Sequence, residues 1–171
     1  GLTILDTDDT ASDRERWSYL LLADELRRRS SRSRQDLAEL YGRMVFNALI
    51  SNVDDHPRNH ALVAPGRSFQ LSPAYDLTPT PLVSEEKRDL ALIVGEFNRY
   101  ANRINLRSGH ARFQLTRDEA SAIIDRIQAV VRARWYAVLR DSGTSEADCE
   151  RVRPAFDYPG FELDPAVVLQ R

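Results

Sequence analysis

Asn52-Val53-Asp54-Asp55-His56-Pro57-Arg58-Asn59-His60 is the stretch whose reading decides the fold. It crowds acids, imidazoles and side-chain amides into a turn-prone segment between two apolar ones. Upstream, Leu37, Leu40, Tyr41, Met44, Val45, Ala48 and Leu49 recur at helical spacing. They predict a helix over 33–52, with Ser33 as its cap, Asp36 three residues on, and a last turn that runs straight into Asn52. Downstream, His60–Ala64 and Ser68–Ser72 flank Pro65-Gly66-Arg67, the pattern of a β-hairpin. The hairpin should return the chain to Pro73-Ala74-Tyr75-Asp76, close to where it left.

Working outward, residues 1–11 are polar and acidic and read as an extended lead-in. Ser12 or Thr10 is expected to cap a helix over 12–30, with Asp13 and Glu15 in its first turn. Trp17, Leu20, Leu21 and Leu26 are expected to form its apolar stripe. Residues 73–87 are rich in proline and should be mostly loop. Leu90–Val94 is a short apolar strand or buried turn, and 98–112 is ambiguous. Thr116 with Glu119 makes a capping box. A long helix should follow on Ala120, Ile123, Ile124, Ile127, Val130, Val131, Arg134, Trp135 and Val138, stopping near Gly143. Ser145 should cap a shorter helix to about Val152, and the tail from Pro154 should pack along the surface. The fold class read from this pattern is mainly α with a small β-hairpin, in one domain over 1–171. Within it, 52–80 carries the chemistry and 116–171 the C-terminal helices and tail.

The chain has 171 residues, 42% hydrophobic and 29% charged, enough for one domain that buries roughly 70% of its unfolded surface. A net charge of −2 gives no global field favouring nucleic acid. A single cysteine, Cys149, forbids an internal disulfide and suits a reducing cytoplasm. It lies in a polar stretch and reads as an incidental thiol. No apolar run approaches the roughly 20 residues of a membrane span, and the first residues show no basic-then-apolar leader.

Asp54 and Asn59 stand five apart, and Asp76 follows the hairpin. Phosphoryl transfer asks a protein chiefly to orient a nucleophile and to neutralise phosphate charge. A carboxylate near an acceptor hydroxyl can take its proton, which is the role assigned to Asp54. Mg²⁺ prefers hard oxygen ligands and keeps waters, so the Asn59 amide oxygen and the Asp76 carboxylate suffice when phosphates supply the rest. His56 could donate a hydrogen bond to a phosphoryl oxygen. Asp55 is read as a helper or a solvated neighbour, His60 as structural, and Tyr75 as packing beneath the loop. His110 is given no role, and Trp17 and Trp135 are read as core. The same residue types also crowd into plain surface turns, because they hydrogen-bond their own backbone. It is the combined order of Asp, Asn, hairpin and Asp that favours a site.

With these residues in view, Leu49–His60 and Leu71–Thr80 resemble the C-terminal region of HipA-like kinases, the toxin halves of bacterial toxin–antitoxin pairs. The Asp-x-His-x-x-Asn pattern at Asp54, His56 and Asn59 is also similar to that of lipid-kinase-like enzymes. The resemblance implies the helical C-lobe of a bilobal protein-kinase-like fold and serine/threonine kinase activity with ATP and Mg²⁺. It places catalysis on Asp54 and metal ligation on Asn59 and Asp76. It implies a protein substrate, such as a translation component, and a helix-turn-helix antitoxin as partner. The sequence has no glycine-rich phosphate loop and one lysine, Lys87. It begins with Gly1, so the expectation is a lobe that is inactive without its N-lobe.

Two other readings stay open. One is a metal-dependent hydrolase built on Asp54, Asp55, His56, His60 and Asp76 around a transition metal. The other is a non-catalytic scaffold that meets an acidic partner or DNA backbone through Arg27, Arg28, Arg29, Arg32 and Arg34. Those arginines read more simply as a solvated connection between helices.

Overall fold

The computed structural model describes residues 2–6, 12–81 and 84–170. Its spine is a pair of contacting helices, α2 (Tyr19–Arg29) and α3 (Ser33–Leu49), with the long α5 (Arg117–Asp141) packed against α3. A short α1 (Leu2–Leu5) precedes them. Two-residue strands β1 (Leu62–Val63) and β2 (Gln70–Leu71) pair antiparallel, Leu62 with Leu71 and Val63 with Gln70. The helices α4 (Arg103–Ser108), α6 (Glu146–Phe156) and α7 (Pro165–Val168) complete the set. The fold is therefore mostly helical with one small hairpin.

The helix α3 buries the whole apolar stripe read from its spacing, Leu37 through Leu49. Its start differs from expectation. Ser33 is the first helical residue rather than the cap, and the capping position, Arg32, makes no side-chain cap bond. Asp36 turns inward instead of serving the helix dipole. Only 1% exposed, its carboxylate accepts from the Leu71 amide at 2.7 Å and the Ser30 hydroxyl at 2.7 Å, and pairs with Arg32 at 2.9 Å. Two turns along, Arg43 donates to the Ser72 carbonyl at 2.6 Å and pairs with Glu39 at 3.0 Å. Two charged side chains of one helix thus hold the returning strand and the residue that leads into the Asp76 loop.

The preceding helix is shorter than its stripe suggested. Residues Ser12–Arg16 form a 3₁₀ turn, and α2 begins only at Tyr19, capped by the Ser18 hydroxyl. Trp17 lies before the helix, so the true buried face is Tyr19, Leu22, Ala23 and Leu26, spaced 3, 4 and 7 from its start. Leu21 faces solvent. The Thr10 cap and most of the lead-in fall outside the described residues, while Leu2–Leu5 are helical rather than extended, with Leu5 buried.

The apolar run Leu90–Val94 makes a single bridge to the start of α2, through Tyr19 N to Ile93 O and Ile93 N to Trp17 O. The helix α5 keeps its Thr116–Glu119 capping box. Its inner face is Ala120, Ile124, Gln128 and Val131, however, and Val130 and Val138 stand half exposed. The tail does not lie along the surface: Pro154 continues α6, and Tyr158, Gly160 and Phe161 are buried. Gly160 permits this insertion, since a Cβ there would sit 2.3 Å from the Glu86 carbonyl oxygen. Cys149, which lies in a polar stretch of sequence, is fully buried on α6. None of the helices is long and apolar enough to cross a membrane, among the described residues.

Because Asp36 is a buried carboxylate serving three donors, Asp36→Ala should destabilise the chain by about 3 kcal/mol and free the hairpin first. Urea unfolding with the hairpin amides followed by hydrogen exchange checks this. Equal protection of Leu71 in both proteins would refute the pinning.

Candidate functional site

The polar run is set up by the way α3 ends. Ser51 takes a left-handed conformation (φ 54°) and the Asn52 amide closes on the Asn47 carbonyl at 2.9 Å. A non-glycine residue in that region needs outside support. Ser51 has it: buried, it donates to the Ala155 carbonyl at 2.8 Å and accepts from Arg88 at 2.6 Å. Arg88 also donates to the Pro154 carbonyl and lies over the Tyr158 ring. The buried tail therefore braces the residue where the chain turns into the site.

Beyond Ser51 the run folds on itself. The amide of His56 bonds the Asp54 carbonyl at 2.8 Å and that of Asn59 bonds the His56 carbonyl at 2.9 Å, giving a 3₁₀ turn at Pro57–Asn59. Consecutive acids part company here: Asp54 is exposed and Asp55 is 1% exposed. The Asn59 amide nitrogen reaches the Asp54 carbonyl at 3.5 Å, which turns its oxygen away from that contact and leaves it for another. His56 is half-buried. Its Nδ1 is shielded from solvent and lacks a hydrogen-bond partner among the described residues.

Asp76 is exposed and also left-handed (φ 57°). Two hydrogen bonds tie its loop to the polar run. The Asn52 side chain donates to the Asp76 carbonyl at 3.2 Å, and the Tyr75 hydroxyl donates to the Arg58 carbonyl at 2.6 Å. Tyr75 is thus an exposed tether across the two loops rather than packing beneath one. The structure brings Asp54, His56 and Asn59 into one turn and holds the Asp76 backbone against it.

Beneath that surface lies a layer of polar side chains that the sequence reading left unassembled. Asp55 accepts a short hydrogen bond from the Tyr19 hydroxyl, and His60 Nε2 lies 3.1 and 3.2 Å from its two oxygens. An ionised carboxylate only accepts, so that nitrogen carries the proton. The Tyr19 and His60 rings also meet edge to face, 5.1 Å apart. Asn47 donates to the Tyr19 hydroxyl at 3.0 Å and accepts from Asn52 at 3.1 Å. Asp55 is therefore neither a solvated neighbour nor a free acid. The available signal for Tyr19 was its spacing to Leu22, Ala23 and Leu26. For Asn47 there was only its place one residue before a buried alanine.

The arginines at the end of α2 and the start of α3 are matched on the chain itself. Arg27 pairs with Asp24, Arg28 and Arg29 with Glu25, Arg32 with Asp36 and Arg34 with Glu119, at 3.5, 2.8, 2.8, 2.9 and 3.8 Å. His110 bonds the Leu115 carbonyl at 2.7 Å and is part of a local turn. No three His, Cys, Asp or Glu side chains converge as a metal cage among the described residues. Of the residues read for a transition-metal hydrolase, Asp55 and His60 are spent on each other, and Asp55 also on Tyr19, while Asp54, Asn59 and Asp76 carry oxygens of the kind a hard cation takes.

A helical lobe whose central buried helix, α3, runs into a self-bonded acid–amide turn, tethered to a second acidic loop past a hairpin, defines the class. This chain belongs to the HipA-like C-terminal domain family, which matches residues 1–135. A segment of 49 residues is 49% identical to the Sinorhizobium fredii (strain NBRC 101917 / NGR234) protein named "Putative kinase Y4dM", covering 28% of this chain and 12% of that protein. The fold is similar to a chain in the solved complex of Shewanella oneidensis MR-1 HipA, HipB and operator DNA. There the TM-score is 0.65 at 17% identity, over 94% of this chain and 39% of that one. The chain thus spans well under half the length of these relatives.

Burial raises the pKa of Tyr19 well above the ordinary phenol value, with the Asp55 charge adding to it. Burial also raises Tyr41, Tyr158 and Tyr100. These phenols stay neutral in the folded chain but ionise in the unfolded one above about pH 10. The unfolded state then binds fewer protons, so stability should fall as pH climbs past about 10. Ultraviolet titration should show these four tyrosines ionising only with unfolding, and the alkaline loss should shrink in Tyr19→Phe. Ordinary titration of Tyr19 in folded protein would contradict the buried network.

Proposed function

We propose that this chain is the catalytic lobe of a HipA-like serine/threonine kinase that transfers phosphate from ATP with Mg²⁺. The observation that carries the reading is the double tether, Asn52 to Asp76 and Tyr75 to Arg58. It holds the loop of the second acid against the turn bearing the first. Membership of the HipA-like family and the kinase name of the S. fredii relative support it.

In this reading Asp54, exposed at the head of the turn, accepts the proton of the acceptor hydroxyl and orients it for attack. Asn59, with its nitrogen engaged on the Asp54 carbonyl, presents its oxygen to the cation, and Asp76 presents its carboxylate. Mg²⁺ bound there would neutralise charge on the phosphates. His56 donates to a phosphoryl oxygen. The nucleotide is gripped by an N-lobe carrying the phosphate loop and lysine, without which this lobe is inactive.

The protein substrate and a helix-turn-helix antitoxin belong to the same proposal, as does cytoplasmic action. The solved neighbour is a HipA–HipB–DNA complex, which supports association with an antitoxin and, through it, with DNA. Direct DNA contact by the Arg27–Arg34 cluster gains nothing from the structure, because each of those charges already has an acidic neighbour.

Joined to a nucleotide-binding N-lobe, the chain should phosphorylate protein in the presence of Mg²⁺ and ATP. Asp54→Ala should lower turnover by about 10²–10⁴-fold while leaving nucleotide affinity nearly unchanged. Wild-type turnover in Asp54→Ala would sink the assignment. For the metal, Mn²⁺ can serve as a probe of the Mg²⁺ site. Asn59→Ala and Asp76→Ala should each weaken it by about tenfold or more in calorimetry with nucleotide, whereas Asp89→Ala should not.

A further inference from the structure

One unbroken line of side-chain hydrogen bonds runs from under the proposed base to the loop of the proposed metal ligand. It starts at the buried carboxylate of Asp55, the residue after Asp54. Asp55 accepts from the Tyr19 hydroxyl. That hydroxyl accepts from Asn47 Nδ2 at 3.0 Å. Asn47 Oδ1 accepts from Asn52 Nδ2 at 3.1 Å, and the same nitrogen donates to the Asp76 carbonyl at 3.2 Å. All four side chains are at most 2% exposed: Tyr19 and Asn47 at 0%, Asp55 at 1% and Asn52 at 2%.

The line has a direction, and one charge sets it. Asp55 can only accept, so the Tyr19 proton must point at it, and the Tyr19 oxygen must then accept from Asn47. That fixes which way the Asn47 amide faces, because its nitrogen is spent on Tyr19 and its oxygen is left for Asn52. Asn52 must in turn present its nitrogen, the end that can also hold a backbone carbonyl. No member can be reversed without leaving a buried polar atom unmatched, which costs more than a hydrogen bond contributes. Three elements meet in it: α2 supplies Tyr19, α3 supplies Asn47, and the turn supplies Asn52 and Asp55.

We infer that Tyr19, Asn47, Asn52 and Asp55 form a positioning relay that holds the Asp54 turn and the Asp76 loop in fixed relation. The inference rests on the phosphotransfer reading for its purpose, since that chemistry needs a base and a metal ligand set by a common support. None of the four is a catalytic residue. Tyr19 contributes through Asn47 and Asn52 to a loop it does not touch.

The test is the backbone order of 75–80, read as amide order parameters by NMR relaxation on the whole chain and compared among wild type, Tyr19→Phe, Asn52→Ala, their double variant, and Tyr41→Phe. Among the described residues no amide of 75–80 has a hydrogen-bond acceptor, so order rather than exchange protection reports on that loop. Tyr41 is an equally buried phenol whose hydroxyl bonds the Leu106 carbonyl instead, so it controls for general loss of stability. Tyr19→Phe should lower the order parameters of 75–80 by about 0.2 and speed amide exchange about tenfold in 53–60, the effect of losing about one buried hydrogen bond. Asn52→Ala should lower 75–80 as far, and adding Tyr19→Phe to it should change 75–80 no further, because the line is already cut. Tyr41→Phe should leave 75–80 as in wild type. Asp55→Asn, which keeps an acceptor for Tyr19 but loses the charge, is a further variant should Tyr19→Phe fold poorly, and it should lower 75–80 by less.

Mn²⁺ binding by the same variants joined to the nucleotide-binding N-lobe separates this inference from the reading beneath it. Tyr19→Phe should weaken Mn²⁺–nucleotide binding about fivefold, acting through the loops rather than on the ion. An effect confined to 53–60, additivity in the double variant, or an equal response to Tyr41→Phe overturns the relay. Failure of the joined wild type to bind Mn²⁺ with nucleotide, with the response of 75–80 intact, overturns the phosphotransfer reading and leaves the four residues as a brace between loops.

Discussion

A carboxylate held out of water beside one left in it is the constraint on which the site depends. Asp55 is sealed beneath the turn and accepts from Tyr19 and His60, while Asp54, its immediate neighbour, faces solvent. A buried charge of this kind costs several kcal/mol in desolvation and persists only with good partners. Those partners come from α2 and from the start of the hairpin, so the turn can form only when both are docked.

The same economy governs the approach to the turn. The helix α3 stops where Ser51 enters the left-handed region, and Arg88 with the Ala155 carbonyl holds it there. Arg43 and Asp36, also from α3, hold the hairpin strand and its exit. One helix thereby sets the departure of the polar run, the return of the hairpin and the start of the Asp76 loop. Its apolar stripe anchors it in the core against α2 and α5, so the site inherits the rigidity of the best-packed element in the chain.

Much of this was open to reading. Strong periodicity from Leu37 to Leu49 predicted a buried helix, and a Pro-Gly turn between short extended segments predicted the hairpin. The capping box at Thr116 and Glu119 marked the start of α5. Local signals succeeded because each rests on neighbours a few residues apart. They misled where a residue had both a local and a distant option. Asp36 could have served the helix dipole but bonds a strand 35 residues away. Trp17 looked like the head of the α2 stripe, yet Ser18 starts the helix after it. Val130 and Val138 fit the α5 period but lie on its solvent side. The aromatic tail, read as surface, supplies the pocket around Arg88.

The sequence by itself determined the mainly helical class, the hairpin and the order of Asp54, Asn59 and Asp76, because spacing and turn chemistry are encoded locally. It also held the resemblance that the family match over residues 1–135 makes plain. Only the tertiary structure decided that Asp55 goes under and Asp54 stays out, and that Asn52 and Tyr75 fasten the two loops. It alone joined Tyr19 to Asn47 across two helices. Hydrogen bonds among residues 5 to 36 positions apart leave no periodic trace. They exist only once apolar packing has brought their backbones together.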